Sequence, residues 1–174
     1  TTYSEYWSPK LSQKITKNKK ADLIYSANTL SHIKNFNEIF KSINNALSEK
    51  GVLIIEDPSL LKCLQNLAYD QFYCEHIYVF STLALREVLK SFKLEIFDVE
   101  NTKTHGGSNR YYIKKNTNFF YKINNRVNAE IKKELQFGLN KFSTYQKFAK
   151  NVKISKSKLL KIFSSLNKKK LRII

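Results

Sequence analysis

Apolar and polar residues along the 174-residue chain fall into two periods, and the switches between them mark its elements. The run "ADLIYSAN" reads as a buried strand from Asp22 to about Ser26. Behind it, Phe36, Ile39, Phe40, Ile43 and Leu47 recur at helical spacing, with Asn35 or Asn37 available as cap and Gly51 as stop. "GVLIIEDP" is a second short apolar run and a second buried strand. Strand, helix and strand make a βαβ unit, which predicts a parallel pair in a sheet covered on both faces. Ligands of such sheets sit at the carboxyl ends of the strands. The residues just after Ser26 and just after Ile55 are therefore the first places to look for function.

A short helix follows from about Leu60 to Leu67, and another from about Thr82 to Phe92 with Leu85, Val88, Leu89 and Phe92 on one face. Two strand-like runs, "KLEIFDVENT" and "SNRYYIKK", flank "KTHGG", whose paired glycines suit a tight or irregular connection. From about Asn124 to Ala149, Val127, Ile131, Leu135, Leu139 and Phe142 keep close to a 3.6-residue period. "SKSKLLKIFSSLNKKKLRII" then predicts a further helix on Leu159, Leu160, Ile162, Phe163 and Leu166, running into the start of a strand. The chain thus divides into a sheet unit (1–115), a helical connector (116–150) and the beginning of a second α/β domain (151–174). Thr1 stands where an initiator methionine would, and Met occurs nowhere, so the chain reads as an internal piece of a longer one.

A βαβ unit followed by a helix and a closing hairpin resembles the end of class I S-adenosylmethionine-dependent methyltransferases, whose last two strands form an antiparallel edge on an otherwise parallel sheet. The fold class expected is α/β: the C-terminal half of a Rossmann-like class I methyltransferase sheet ending in an antiparallel hairpin, then helices and the start of a second α/β domain. Topology alone does not fix function.

The stretch "AYDQFYCEHIYVFS" packs two carboxylates, a histidine, a cysteine and five aromatic rings between two apolar helical segments, with no glycine or proline. Core segments rarely carry Asp70, Glu75 and His76 so close together, because buried charges must be paired. "DQFYCEHIYVFS" resembles the signature segment of the NDP-sugar C-methyltransferases, matched here by Asp70, Tyr73, Glu75, His76, Tyr78 and Ser81. Three further matches follow the family's order: "ADLIYSANTLSHI" with His32, "DVENTKTHGGSNRYYI" with its His-Gly-Gly-Ser, and "FAKNVKISKSKLLKIFSSLNKKKLRII" as the entry to the C-terminal domain. The likeness runs from about Ala21 to Ile174. Cys74 departs from it, standing where family members often have His. The family's cysteine-rich zinc-binding module and glycine-rich cofactor loop are not in this chain, so any zinc would belong to that N-terminal region.

The resemblance implies an S-adenosylmethionine-dependent enzyme that methylates a nucleotide-linked keto-deoxysugar at carbon. Such chemistry removes a proton next to a ketone, and the base should titrate near neutral pH, which suits imidazole. His76 is the implied base; Tyr73 and Glu75 would orient the sugar and the imidazole, and His32 would bond the substrate or the developing enolate oxygen. Asn28, after the first strand, is the implied cofactor contact, and His105, Gly107 and Ser108 the implied sugar contacts. His76 also reads as a satisfied core histidine, His32 as a helix-entry cap, the paired glycines as hairpin shapers and Asn28 as a turn residue.

Composition narrows the classes. The net charge is +17, and from Leu135 to the end there are 11 Lys or Arg with no Asp or Glu. A basic balance suits nucleic acid, an anionic membrane or a phosphorylated small molecule. Lys far exceeds Arg, the better phosphate fork, which ranks nucleic acid behind the nucleotide-sugar. Cys63 and Cys74 are too few for a structural zinc site or a disulfide framework, which points to reduced thiols in the cytoplasm. No apolar run approaches the ~20 residues of a membrane span, so a soluble, membrane-free chain is expected. With its sheet incomplete, the piece alone should be poorly soluble and inactive. Two other functions share these features: a methyltransferase of the same fold acting on oxygen or nitrogen, and a non-catalytic basic nucleic-acid-binding module.

Overall fold

The contiguous apolar residues Leu23, Ile24 and Tyr25 fold into a strand, β1 (Ala21–Ala27), in the computed structural model of the chain, which describes residues Thr1–Lys168. Ahead of it lies a short helix, α1 (Pro9–Ile15). The helix after β1, α2 (Phe36–Ala46), is capped by Asn35: its side-chain oxygen accepts the Glu38 N–H at 3.3 Å, and its amide donates to the Glu38 carboxylate at 2.8 Å. β2 (Leu47–Pro58) begins as soon as α2 ends. Gly51 is therefore not the helix stop. It lies buried inside β2, where an added Cβ would sit 2.7 Å from the Ala21 carbonyl oxygen, so it permits the close approach of β2 to β1.

β1 and β2 pair in parallel, from Leu23 opposite Val52 to Ala27 opposite Glu56. Two short helices follow, α3 (Leu60–Gln65) and α4 (Thr82–Lys90), and then the hairpin of β3 (Leu94–Thr102) and β4 (Ser108–Lys115). The sheet order is β1-β2-β4-β3, with β4 antiparallel to both neighbours. The closing hairpin thus turns inward: its second strand slots between β2 and β3, and β4 alone runs against the rest.

Two helices complete the described chain. α5 (Asn125–Phe137) stops at Gly138, which takes a left-handed conformation (φ 91°) and donates its N–H to the Glu134 and Leu135 carbonyls. α6 (Phe142–Lys168) follows as one uninterrupted helix. The continuous helical stretch expected from 124 to 149 is therefore two helices, and no break falls at the expected boundary between 150 and 151. The strand expected at the end of the chain lies outside the described residues.

One apolar core forms on one face of the sheet. Leu53 and Ile55 of β2, Tyr111 and Ile113 of β4 and Ile96 and Val99 of β3 meet Phe40 and Ile43 of α2, Leu85 and Leu89 of α4, and Val127 and Ile131 of α5. Val88, expected on the inner face of α4, is partly exposed. The sheet is not covered on both faces: Leu23 and Tyr25 of β1 are 58% and 57% exposed. Glu134 of α5 is fully buried and ties α5 to α4, accepting the Thr82 N–H at 2.7 Å and the Leu83 N–H at 2.8 Å on its two carboxylate oxygens. Those amides are free donors at a helix start, and a carboxylate there also meets the positive end of the helix dipole.

Candidate active site

Strand geometry brings the site together at the carboxyl ends of β1 and β2. β1 is followed by Asn28, which has a left-handed backbone (φ 49°) and donates its N–H to the Glu56 carbonyl at 2.8 Å. The chain then makes a single 3₁₀ turn, Leu30–His32. The Ser31 carbonyl accepts two amides from the aromatic-rich segment, Ile77 at 2.9 Å and Tyr78 at 3.1 Å. Further along, the Leu60 N–H donates to the Phe80 carbonyl at 2.8 Å, and the Tyr78 hydroxyl donates to the Lys34 carbonyl at 3.0 Å. The segment without glycine or proline is thus no plain turn. It is a strip laid across the ends of two strands, anchored by Phe80 in the core and by Tyr78 packed on Phe36 at 4.3 Å between ring centroids.

This docking sets three of the implied residues side by side. His76 lies 4.8 Å from His32 and 4.2 Å from Tyr73, ring centroid to centroid. The His76 Nδ1 is 2.8 Å from the Gln71 carbonyl oxygen, which can only accept, so Nδ1 carries the proton. In the neutral ring Nε2 then presents its lone pair, and the Tyr73 hydroxyl, 3.1 Å away, donates to it. The contact that orients the imidazole comes from Gln71 and not from Glu75, which is exposed and makes no side-chain hydrogen bond or ion pair among the described residues. His32 does not cap α2, a task taken by Asn35.

The other implied contacts stand apart from these rings. Ser108 is buried and its hydroxyl donates to the Thr104 carbonyl at 3.1 Å, so it braces the hairpin loop. Gly107 is buried against Lys62, whose side chain an added Cβ would meet at 2.8 Å. His105 is exposed at the loop tip with a left-handed backbone (φ 50°). Cys63 is buried, which pushes its thiol up to about 11, and Cys74 is exposed. Among the described residues no cluster of His, Cys, Asp and Glu could hold a metal ion, and no helix is long and apolar enough to cross a membrane.

Two adjacent carboxylates, Glu56 and Asp57, lie at the end of β2, and residue type alone does not mark either as functional. Successive side chains of a strand point to opposite faces. Glu56 faces the hairpin loop, where it pairs with Arg110 at 2.7 Å and accepts the Thr104 hydroxyl at 2.9 Å. Burial pushes the Glu56 carboxyl up, but Arg110 and Thr104 outweigh it and hold it below the usual range. Asp57 faces the helix-covered side, fully buried, with neither carboxylate oxygen hydrogen-bonded. Burial pushes it up to about 6, opposed in part by the Ser31 hydroxyl and amide and by the charges of His32 and His76. The signal that could have found it was its place just after Ile55 at a strand's carboxyl end.

Residues 3–99, from the start of the chain to β3, match the family model described as a methyltransferase domain. The chain belongs to the methyltransferase domain family. Residues 103–174 match a second model, described as the C-methyltransferase C-terminal domain. The join between the two matches falls inside the β3–β4 hairpin, so the second match supplies the strand that completes the sheet of the first. C-methyltransferase NovU of Streptomyces niveus is 30% identical over 93 residues, 53% of this chain and 22% of that protein. The chain thus spans about a fifth of the length of this curated relative. Among solved structures, an S-adenosylmethionine-dependent methyltransferase from Clostridium acetobutylicum is 21% identical over 56% of this chain and 59% of its own, with a TM-score of 0.43. Magnesium protoporphyrin IX methyltransferase from Synechocystis PCC 6803, with bound SAH, is 16% identical over 54% and 44%, with a TM-score of 0.40.

Proposed function

We propose that this methyltransferase chain carries the acceptor side of an S-adenosylmethionine-dependent C-methyltransferase, which methylates a nucleotide-linked keto-deoxysugar by base-promoted enolate formation. The observation that supports this reading is the state of His76: with Nδ1 held by Gln71, its Nε2 offers a lone pair beside Tyr73 and His32. A carbon acid needs such a base, whereas an amine acceptor with its own lone pair does not. The match to a C-methyltransferase C-terminal domain and the likeness to C-methyltransferase NovU favour carbon over oxygen or nitrogen as acceptor.

In this reading the proton leaves the carbon next to the ketone for His76 Nε2. The Tyr73 hydroxyl, released from that nitrogen, turns to the sugar, while His32 donates to the developing enolate oxygen. S-adenosylmethionine, when bound, supplies a methyl group on a sulfonium. This chain would hold its reacting end with the Asn28–Ser31 loop, and the fit rests on Ser31, whose hydroxyl is buried there without a hydrogen-bond partner. The chain's four glycines offer it no phosphate-type or ribose-binding loop between a strand and a helix. His105 and Glu75, both exposed, are free to reach a large substrate. The free thiols Cys63 and Cys74 suit a cytoplasmic setting.

The test uses the protein as its gene encodes it, a ¹³C-methyl-labelled cofactor and a nucleotide-linked keto-deoxysugar. The label should appear as a methyl group bonded to carbon. His76→Ala should lower turnover by roughly 10² to 10⁴ and leave cofactor binding, measured by calorimetry, intact. A label on oxygen or nitrogen, or near-normal turnover of His76→Ala, overturns the proposal.

A further inference from the structure

Other buried carboxylates in this chain are satisfied. Glu56 has Arg110 and Thr104, and Glu134 has two helix amides. Asp57 is equally buried, and neither of its oxygens has a hydrogen-bond partner; the Ser31 hydroxyl and amide temper, without cancelling, the rise that burial causes. An unpartnered carboxylate in a core is costly, and a fold that retains one has a use for it.

What surrounds Asp57 indicates the use. Ser31 brings a hydroxyl that is itself buried and unpartnered, and the next residue, His32, brings an imidazole whose charge acts on the carboxylate. The docked strip brings His76, with Tyr73 bonded to its Nε2. On β4, Asp57 stands opposite Asn109, which is neutral and already bonded to Tyr111 and Asn101. Glu75 on the strip is exposed. Among the described residues the two imidazoles are the groups able to bring positive charge to bear on Asp57.

We infer that Asp57 is the positioning residue and counter-charge of the His32–His76 pair. The inference rests on the proposed function, in which the pair takes up a proton when His76 Nε2 accepts it from carbon. That proton places a positive charge between half-buried rings 4.8 Å apart, where Gln71 and Tyr73 supply only dipoles. The Asp57 carboxylate supplies the compensating negative charge from inside the fold.

The experiment reads Asp57 itself. In the protein as its gene encodes it, with ¹³C-labelled aspartate, the pH midpoint of the Asp57 carboxyl carbon is followed by NMR in wild type, His32→Gln and His76→Gln. Removing either imidazolium should move the midpoint upward, by on the order of one pH unit for the nearer ring. An unchanged midpoint in both variants overturns the inference, whatever the enzyme does to sugars. Turnover gives the second reading: Asp57→Asn should lower kcat about tenfold with little change in KM and displace the pH–rate profile. A profile that keeps its position also overturns it. If Asp57→Asn fails to fold, the carboxyl titration in the two histidine variants decides alone. Absence of methyl transfer in the wild type would sink the proposed function while leaving the titration to judge Asp57.

Discussion

At the scale of single residues, Asp57 and Glu56 show how one strand separates two carboxylates by face. Glu56 meets Arg110 and becomes part of the scaffold; Asp57 is buried without a hydrogen-bond partner, near Ser31 and two imidazoles. The raised Asp57 value fixes the sign of a stability effect. Its ordinary value is 3.8 and its folded value about 6, so between these the folded state keeps a proton that the unfolded state has lost. Stability should fall as pH rises from about 4 to 6 and level off above. Asp57→Asn removes that penalty and should stabilise the protein at pH 8 by on the order of 1–3 kcal/mol, with no gain near pH 4. Urea unfolding at the two pH values measures this, and a variant less stable at pH 8 would mean that the carboxylate is held by a partner in solution. The end of β2 was legible in the sequence as a place to look. Which of Glu56 and Asp57 faces the rings was not, because that depends on the strand's register.

At the scale of elements, the sequence carries strong signals wherever an apolar stripe and a cap agree. α2 with Asn35 and the β3–β4 hairpin around Gly106 and Gly107 form where the pattern puts them. Gly51 lost its expected role as a helix stop for a physical reason. A glycine after a helical stripe looks like a stop, yet Gly51 is needed for backbone approach inside β2, while Gly138 is the left-handed cap that divides α5 from α6. Leu135 and Phe142 extended the apparent stripe across that break although both are exposed. The tie between α5 and α4 was invisible because Glu134 reads as a surface helix residue. Glu134→Ala leaves two buried amides at the start of α4 without acceptors and should cost about 2–3 kcal/mol in urea unfolding, with Glu134→Gln costing less. A loss below about half a kcal/mol would show that water replaces the carboxylate there.

At the scale of the whole molecule, the sheet is unequal at its two edges. β3 is guarded by charge: Asp98 and Glu100 both pair with Arg126 of α5. β1 presents Leu23 and Tyr25 to solvent on an open edge, the kind of surface that recruits another chain. Expressed as these 174 residues, the protein should therefore self-associate in sedimentation velocity, and Leu23→Lys with Tyr25→Lys should return it toward monomer. Association that is indifferent to those changes would place the contact elsewhere.

Solvent exchange tests directly whether His76 removes a proton from the carbon next to a ketone, without reference to the fate of the methyl group. The protein as its gene encodes it is incubated in D₂O with a nucleotide-linked keto-deoxysugar, and loss of the α-proton signal is followed by NMR. Wild type should exchange that proton with solvent, and His76→Gln should slow the exchange by roughly 10² or more. Equal exchange rates in the two proteins would remove His76 as the base.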